Sequence, residues 1–356
     1  MTVVTERPEG RYQTTLRTKT EKRVFFAAVI FCIAAPPFAQ PLSNEAEALA
    51  ARGIEAHDSG DYEGALDYYR QVLELAPRHP VILYEMGFSY AAMGDDENAI
   101  RIADEGIDAA KEQGSLNILI ALMDLKGSAL DNLGQSEEAL TVFEEAIGLG
   151  GNPMVYYNYA LTSYKLERRG QARKALIAGL ELNRNHPSSV YLLGRICVEE
   201  GRKTQGFYSF CYFLLLEPAS GRAVEAYMSL DEILKGSTTI GIRNAGSFTA
   251  SDLMISLLPL ESDESSAKLS DTEKFNAKLK MLFTALEESR ESVEREAGDE
   301  LWWDYYHPFF TRIAASPYFD TYCKIIGMVA NPDAQAWIDS GEGREEIDAF
   351  FTWINE

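Results

Sequence analysis

The sequence predicts an all-α protein in which a solenoid of repeated helix pairs is followed by a smaller, mostly helical domain. Three observations support this fold class. Small and aromatic residues recur in one frame, with a spacing close to 34 residues, over residues 46–219. Glycine and proline interrupt that frame at fixed places where helices would end. After residue 236 the frame stops, but amphipathic segments begin at Ser-Pro and Asn-Pro pairs, which are typical helix starts.

The first 39 residues have the pattern of a secretory signal peptide. Six basic residues between Arg7 and Arg23 precede the apolar run VFFAAVIFCIAA at 24–35, and Ala39 closes a short segment of small residues and prolines. The run is too short to span a membrane, which needs about 20 apolar residues. We expect cleavage, no stable membrane span afterwards, and a periplasmic or secreted protein. An uncleaved segment that anchors the protein to the membrane is the alternative.

The segment GDYEGALDYYRQVLELAPRHP, residues 60–80, belongs to the first clear copy of the repeated pattern. It strongly resembles a tetratricopeptide repeat, a 34-residue helix–turn–helix unit. The family's small, turn, aromatic and closing positions are held here by Gly53, Gly60, Ala65, Tyr69, Val72 and Pro77. Small residues let the two helices of a unit approach closely, and the proline cannot continue the second helix.

Four further copies follow in the same frame. The eighth position of each copy again holds a small residue: Gly87, Gly127, Ala160 and Gly194. Successive copies are therefore separated by 34, 40, 33 and 34 residues. The six extra residues fall near 109–117 and predict a longer second helix and a longer following loop in the second copy. In the fourth copy Glu167 stands where the family has glycine.

The resemblance implies five stacked repeats, because one helix pair cannot bury its apolar face alone. The predicted organisation is a signal peptide at 1–39, the solenoid at 46–219, a capping helix at 220–236 and a mostly helical domain at 237–356. Within that last domain we expect helices at 248–260, 272–293 and 297–315, new helix starts at Ser316-Pro317 and Asn331-Pro332, and a final helix from about 345 to 354.

In the tetratricopeptide-repeat family the first helix of each unit lines a concave groove that binds partner proteins. The resemblance carries that role onto the matching positions here, among which His57 and Asp58 also fall. The candidate partner-binding residues are Tyr84, Phe88, Asp124, Ser128, Asn132, Tyr157, Leu161, Tyr164, Lys165, Tyr191 and Arg195. Rigid aromatic side chains bury a large area at little entropic cost, which suits such a groove. Some of these side chains could equally be present because they contact the next repeat or the C-terminal domain.

One role known in this family is excluded by the same positions. Chaperone-binding repeats grip a terminal carboxylate with lysine, arginine and asparagine side chains. The corresponding places here hold Ala50, Ile54, Glu85, Ala121 and Leu125. The sequence therefore carries no carboxylate clamp.

The stretch LWWDYYHPFF, residues 301–310, is the densest aromatic segment of the chain. At helical spacing Trp302, Tyr306 and Phe309 form one stripe and Trp303, His307 and Phe310 form a second beside it. Such a wide apolar face predicts a core helix buried from two sides, with a kink caused by Pro308. A ligand site is the less favoured alternative, since only an aspartate and a histidine supply polar groups.

Composition and motifs narrow the function. The formal net charge of -22, with no basic stripe in the folded region, argues against a nucleic-acid partner. Phosphate-binding, dinucleotide, hydrolase and zinc-protease motifs are absent from the sequence, and the four histidines are scattered, so we expect no cofactor, metal or catalytic residue. A disulfide between Cys197 and Cys211 and two packed free thiols both remain open.

These observations favour a non-catalytic interaction scaffold of the bacterial cell envelope that binds a peptide or helix of a partner protein in its repeat groove. Two alternatives place the function in the C-terminal domain, as an enzyme or as a binding protein for a small ligand. The sequence does not determine the oligomeric state.

Overall fold

The computed structural model describes residues 2–6, 12–16, 41–235, 269–288 and 298–356. The apolar run of the predicted signal peptide, its cleavage position and the helix predicted at 248–260 lie outside the described residues. The signal peptide therefore remains a prediction. Two short strands, β1 (Thr2–Glu6) and β2 (Tyr12–Leu16), pair antiparallel with Thr2 opposite Leu16.

The chain divides after Leu182 into two compact units. The described part of the first unit consists of eight α-helices: α1 (Asn44–Ser59), α2 (Tyr62–Leu75), α3 (Pro80–Ala92), α4 (Asp96–Gln113), α5 (Leu116–Asn132), α6 (Ser136–Gly148), α7 (Pro153–Lys165) and α8 (Arg169–Leu182). They form four consecutive pairs, each joined by a short turn and packed along its length. The predicted helix–turn–helix repeats are thus present.

Local sequence determines where these helices begin. The side chains of Ser43, Asp61, Asp95 and Asn152 each accept a hydrogen bond from a backbone N–H in the first turn of the helix that follows. Such caps satisfy donors that have no partner inside the helix. Pro80 and Pro153 occupy first-turn positions, where the missing N–H costs nothing.

The turn inside each pair requires left-handed backbone. Gly60, Gly94 and Gly134 adopt it with φ of 86°, 77° and 79°. In the fourth pair Glu167 takes the same conformation with φ of 60°. A residue with a side chain is disfavoured there by roughly 1 kcal/mol, so the turn geometry outweighs the local preference of this glutamate.

The predicted longer helix is confirmed, but the longer loop after it is wrong, because only Gly114 and Ser115 separate α4 from α5. The second helices α2, α6 and α8 have 14, 13 and 14 residues, whereas α4 has 18. It ends at Gly114, which caps it in a left-handed conformation. The extra residues of the second repeat therefore extend a helix by about one turn and leave the pairing intact.

The second unit contains β1, β2 and the remaining described helices. These are α9 (Pro187–Glu199), α10 (Lys203–Leu216), α11 (Gly221–Leu234), α12 (Asp271–Glu288), a π-helix (Leu301–Tyr306), α13 (His307–Ala314), α14 (Phe319–Ile326), α15 (Pro332–Asp339) and α16 (Gly341–Ile354). Helices α9 and α10 form a fifth pair, and α11 follows at the place of the predicted capping helix. The all-α fold class is confirmed by the described residues, with the short β1–β2 ladder as an addition.

Helix α10 forms the centre of the second unit. All its residues from Lys203 to Leu216 are buried. It contacts α9, α11, the π-helix and α14. A helix that is apolar around its whole circumference must be covered on every side, and the sequence GFYSFCYFLLL within α10 has this character.

The aromatic stretch 301–310 is a core element, as predicted. Trp302, Trp303, Tyr306 and Phe310 are almost fully buried. Residues 301–306 form a π-helix in which the N–H of His307 donates to the Trp302 carbonyl five residues earlier. Pro308 has no N–H to offer the preceding turn, so the wider register precedes it and a regular α-helix follows. The expected distortion at this proline therefore takes the form of a π-helical turn.

Cys197, Cys211 and Cys323 are buried thiols outside any disulfide, so the bond considered for the first two is not formed. Burial raises the pKa of the Cys211 thiol, which keeps it protonated and unreactive. Among the described helices, none combines the length and the apolar character needed to cross a membrane.

Candidate protein-binding groove

The candidate site lies on the first helices of the pairs in the first unit. Helix α3 contacts both α1 and α5, and α5 also contacts α7. In a solenoid of helix pairs, the helices that meet their counterparts in neighbouring repeats line the inner, concave side. We call the surface formed by α1, α3, α5 and α7 the inner groove.

Three aromatic rings form a stack across α1 and α3. The ring centroids of His57 and Phe88 lie 4.9 Å apart with an interplanar angle of 22°. Phe88 and Tyr84, one helical turn apart on α3, are nearly parallel at 6.1 Å. All three side chains are half-buried, so part of each ring remains at the surface. The structure thus brings the predicted residues Tyr84 and Phe88 together, and His57 extends their stack.

His57 contributes an uncharged ring to this stack. The Ser89 hydroxyl donates to the Glu85 carbonyl at 3.0 Å and lies 2.8 Å from Nδ1 of His57, so Nδ1 is the donor to Ser89. Burial lowers the pKa of His57, although the neighbouring Asp58 carboxylate opposes that shift. The imidazole is therefore neutral at neutral pH and does not repel a cationic ligand.

Two carboxylates border the stack. Asp58 follows His57 on α1, and Glu85 follows Tyr84 on α3. Within the described part of the chain, no cation forms an ion pair with either carboxylate. Burial, reinforced by the Asp58 charge, raises the pKa of Glu85 to about 7. Ionising Glu85 beside Asp58 therefore costs free energy, because the carboxylate is partly removed from water and is repelled by a second negative charge.

The hydroxyl of Tyr69 lies close to the same carboxylates. Its ring is fully buried against Gly53, and its Oη has no hydrogen-bond partner among the described residues. Burial raises the pKa of Tyr69, and the charges of Glu85 and Asp58 raise it further. A buried polar group without a partner is uncommon and calls for an explanation.

Asp58, like His57, falls on a groove position of the first repeat, whereas Glu85 and Tyr69 do not. Tyr69 was assigned to the packing of the first repeat. Glu85 gave a signal, because it is the one charged residue between Pro80 and Met93. A lone carboxylate in a buried helical segment is expensive unless it has a function or a partner.

Replacing Glu85 by glutamine should stabilise the first unit in a pH-dependent way. The folded-state pKa of about 7 lies above the ordinary value of 4.5. The folded state therefore holds its proton more tightly, and stability falls as the pH rises through that window. Relative to the parent protein, Glu85→Gln should gain almost nothing at pH 4.5 and about 3 kcal/mol at pH 8.

Urea denaturation followed by circular dichroism at both pH values measures this difference. Glu74→Gln, on the exposed side of α2, is the matched control and should show no gain at either pH. An equal gain for Glu85→Gln at pH 4.5 and pH 8 would contradict the assignment, because it would not depend on ionisation.

Asp124 and Ser128 hold neighbouring repeats together. Asn158 on α7 donates to Asp124 Oδ1 at 2.9 Å and to Ser128 Oγ at 3.3 Å, both on α5. Burial raises the pKa of Asp124 to about 6, although the hydrogen bond from Asn158 opposes the shift. These two predicted groove residues therefore lie on the inner groove but already bond to the next repeat.

The other predicted residues of the first unit are spread along α5 and α7. Tyr157, Leu161 and Tyr164 are half-buried on α7. Lys165 pairs with Asp131 at 2.5 Å, and Asn132 donates to Asp96 at 3.1 Å. The two polar side chains thus serve contacts between repeats, which was the alternative explanation for such residues. Partner binding by these residues of α5 and α7 remains a prediction.

Tyr191 and Arg195 lie on α9 of the second unit. Tyr191, predicted to meet a partner, is only 8% exposed. Its ring packs 5.0 Å from that of Phe213, and its hydroxyl donates to Glu225 of α11. The assignment of Tyr191 to an open groove is therefore corrected: large neighbours on α10 and α11 enclose it. Arg195 is exposed and lies 3.8 Å from Glu199.

The second unit also contains a buried polar chain inside its aromatic core. The Tyr208 hydroxyl lies 2.7 Å from Nδ1 of His307, and Nε2 of His307 lies 2.6 Å from Glu287. His307 is fully buried. Both of its ring nitrogens are thus engaged within the protein, which ties α10, α12 and α13 together. This arrangement satisfies polar groups in a core and does not by itself favour an enzyme.

Comparison with known families identifies the type of helix pair in the first unit. Two family models described as tetratricopeptide repeat match the chain, one over residues 56–122 and the other over residues 121–149. Residues 56–149 therefore consist of tetratricopeptide repeats. The matched segments include the aromatic stack, the last turn of α1 and all of α2–α6. The resemblance stated from residues 60–80 is confirmed.

The relatives that this chain matches differ widely in length. It is 32% identical over 124 residues to BBSome complex member BBS4 of Bos taurus, covering 35% of this chain and 22% of that protein. It is 30% identical over 98 residues to Photosystem I assembly protein Ycf3 of Rippkaea orientalis, covering 26% of this chain and 57% of that protein. The chain thus spans about a fifth and just over half of these two relatives.

Among solved structures, a thermophilic tetratricopeptide-repeat protein of Thermus thermophilus is similar with a TM-score of 0.42 and 19% identity. The similarity covers 52% of this chain and 98% of that chain.

Proposed function

We propose that this protein is a non-catalytic scaffold of the bacterial cell envelope, which binds a peptide or helix of a partner protein along the inner groove. The observation that carries the proposal is the stack of His57, Phe88 and Tyr84. These rings face the groove side of α1 and α3 and are only half-buried. Rigid aromatic surface of this kind is typical of sites that contribute strongly to protein binding.

Tetratricopeptide-repeat proteins generally act as interaction scaffolds, which supports the same proposal. The names of the two curated relatives refer to a multiprotein complex and to the assembly of another. The envelope location rests on the signal-peptide pattern of the first 39 residues.

The double substitution Tyr84→Ala and Phe88→Ala should abolish capture of the partner. The expected experiment uses the tagged protein as bait in an envelope extract of the source organism and identifies bound proteins by mass spectrometry. Removing two half-buried rings at the centre of an interface typically weakens binding by more than tenfold. Circular dichroism establishes that the variant keeps its helical content.

The matched control removes two large apolar side chains elsewhere on the same unit. Leu75 and Leu182 are 48% and 57% exposed and end α2 and α8, outside the inner groove. Leu75→Ala with Leu182→Ala should retain the partner. If the groove variant retained every protein that the parent captures, the assignment of the inner groove would be wrong.

A further inference from the structure

The inner groove is unusually acidic where the aromatic stack lies. Asp58 and Glu85 border the stack, and no cation in the described residues pairs with them. Asp124 on α5 adds a third carboxylate, whose charge acts on Tyr84 as the Glu85 charge does. By contrast, Asp131 further along α5 is neutralised by Lys165. The carboxylates at the stack therefore form an uncompensated negative region within an apolar surface.

The buried hydroxyl of Tyr69 is a second, independent feature of the same place. It is enclosed by protein, lacks a hydrogen-bond partner among the described residues, and is acted on by the charges of Glu85 and Asp58. A ligand N–H that reached this oxygen would supply the hydrogen bond that it lacks. The cost of an unpartnered buried group would then be offset when that ligand binds.

The faces of aromatic rings attract cations. An ammonium or guanidinium within about 6 Å of a ring centroid gains roughly 0.5–2 kcal/mol, more when water is excluded. Tyr84 and Phe88 present parallel rings, and the neutral His57 extends them without adding repulsion. Rings beside unpaired carboxylates are complementary to a side chain that is cationic at its tip and apolar along its stem.

From this arrangement we propose that the inner groove recognises a basic segment of its partner, in which one lysine or arginine side chain lies against the Tyr84–Phe88–His57 stack and pairs with Glu85 and Asp58. The proposal rests on the proposed function and specifies its partner. At the positions where related repeats carry cations that bind carboxylates, this groove holds Ala50, Ile54, Glu85, Ala121 and Leu125.

The proposal can be tested with a library of random dodecapeptides displayed on phage and selected on the immobilised full-length protein. Peptides that bind the parent but not the Tyr84→Ala/Phe88→Ala variant define ligands of the groove. These peptides should be enriched in lysine or arginine at one position. Asp58→Asn with Glu85→Gln should weaken their binding at least tenfold, measured by fluorescence anisotropy of the labelled peptide.

General attraction to a protein of net charge -22 is controlled by a second pair with the same charge change. Glu74→Gln with Glu181→Gln neutralises two exposed carboxylates on α2 and α8, and should change the affinity less than twofold. Equal losses in the two double variants would mean non-specific attraction and would overturn the proposal. Stack-dependent peptides without basic residues would also overturn it, while leaving the proposed function intact. Failure to recover any stack-dependent peptide would contradict both.

The pH dependence of peptide binding provides a further readout. The ionisable groups around Glu85 are Asp58 and His57 on α1, Tyr69 on α2, Tyr84 beside it on α3 and Asp124 on α5. With the pKa of Glu85 at about 7, its ionised fraction rises about fourfold between pH 6.5 and pH 8.5. The selected peptide should bind about fourfold more tightly at the higher pH. Glu85→Gln should remove this dependence, and its persistence in that variant would exclude Glu85 as the partner of the cation.

Discussion

Replacing Trp302 by alanine should lower the free energy of unfolding of the second unit by about 3–5 kcal/mol. The indole is completely buried, and its Nε1–H donates to the Ser209 hydroxyl on α10 at 3.1 Å. The substitution leaves a large cavity beside the central helix and removes the donor to Ser209. Because α10 is buried along its whole length, the surrounding helices cannot move in to fill the space without losing other contacts.

Trp353→Ala is the matched control for this experiment. Trp353 on α16 is only partly buried, with the Arg312 guanidinium 4.4 Å from its ring centroid. Its removal should cost about 1–2 kcal/mol, since less apolar area is lost and no enclosed cavity forms. All four tryptophans lie in the second unit, so chemical denaturation followed by tryptophan fluorescence reports on that unit. Equal losses for the two variants would show that Trp302 does not anchor the core.

Introducing valine at Gly127 should destabilise the first unit by about 3 kcal/mol, at the upper end of the range for overfilled cores. A Cβ at this position of α5 would lie 2.5 Å from Cε1 of Phe143 on α6. Phe143 is fully buried and cannot move aside without displacing its own neighbours. The two helices of the third repeat would therefore have to separate.

Gly148→Val provides the control, because a Cβ at this position, at the end of α6, meets nothing within 4 Å. Valine and glycine differ little in helix propensity, so the control should stay within about 0.5 kcal/mol of the parent. Urea denaturation followed by circular dichroism measures both variants. A loss at Gly127 no larger than the control would mean that the repeat tolerates a wider separation of its helices.

The repeat architecture could be predicted because its determinants are local. Gly53 and Tyr69 occupy their expected places in the first repeat, and the structure shows the ring filling the space above the glycine. The six-residue insertion lengthens α4, as its position between two repeats indicated. These features follow from spacing within one or two helices, which a single sequence displays directly.

The candidate site could be predicted only in part. Tyr84 and Phe88 were selected, because aromatic residues at first-helix positions are visible in the sequence. Tyr191 was selected by the same rule but is enclosed. The difference depends on the side chains that neighbouring helices place beside each ring. Phe213 and Glu225 lie around Tyr191 and enclose it. Phe88 has the small, half-buried His57 beside it on the neighbouring helix α1.

The sequence alone determined the helix pairs, their turns and their closing residues, because glycine, proline and small side chains act over a few residues. It also determined that residues 301–310 form a core element. Only the tertiary structure decided that Glu85, Asp58 and the Tyr69 hydroxyl lie together at one end of the aromatic stack, and that Asn158 occupies Asp124 and Ser128. Those contacts join residues that are 11 to 34 positions apart on different helices. Their energies depend on burial and distance, which are properties of the folded chain.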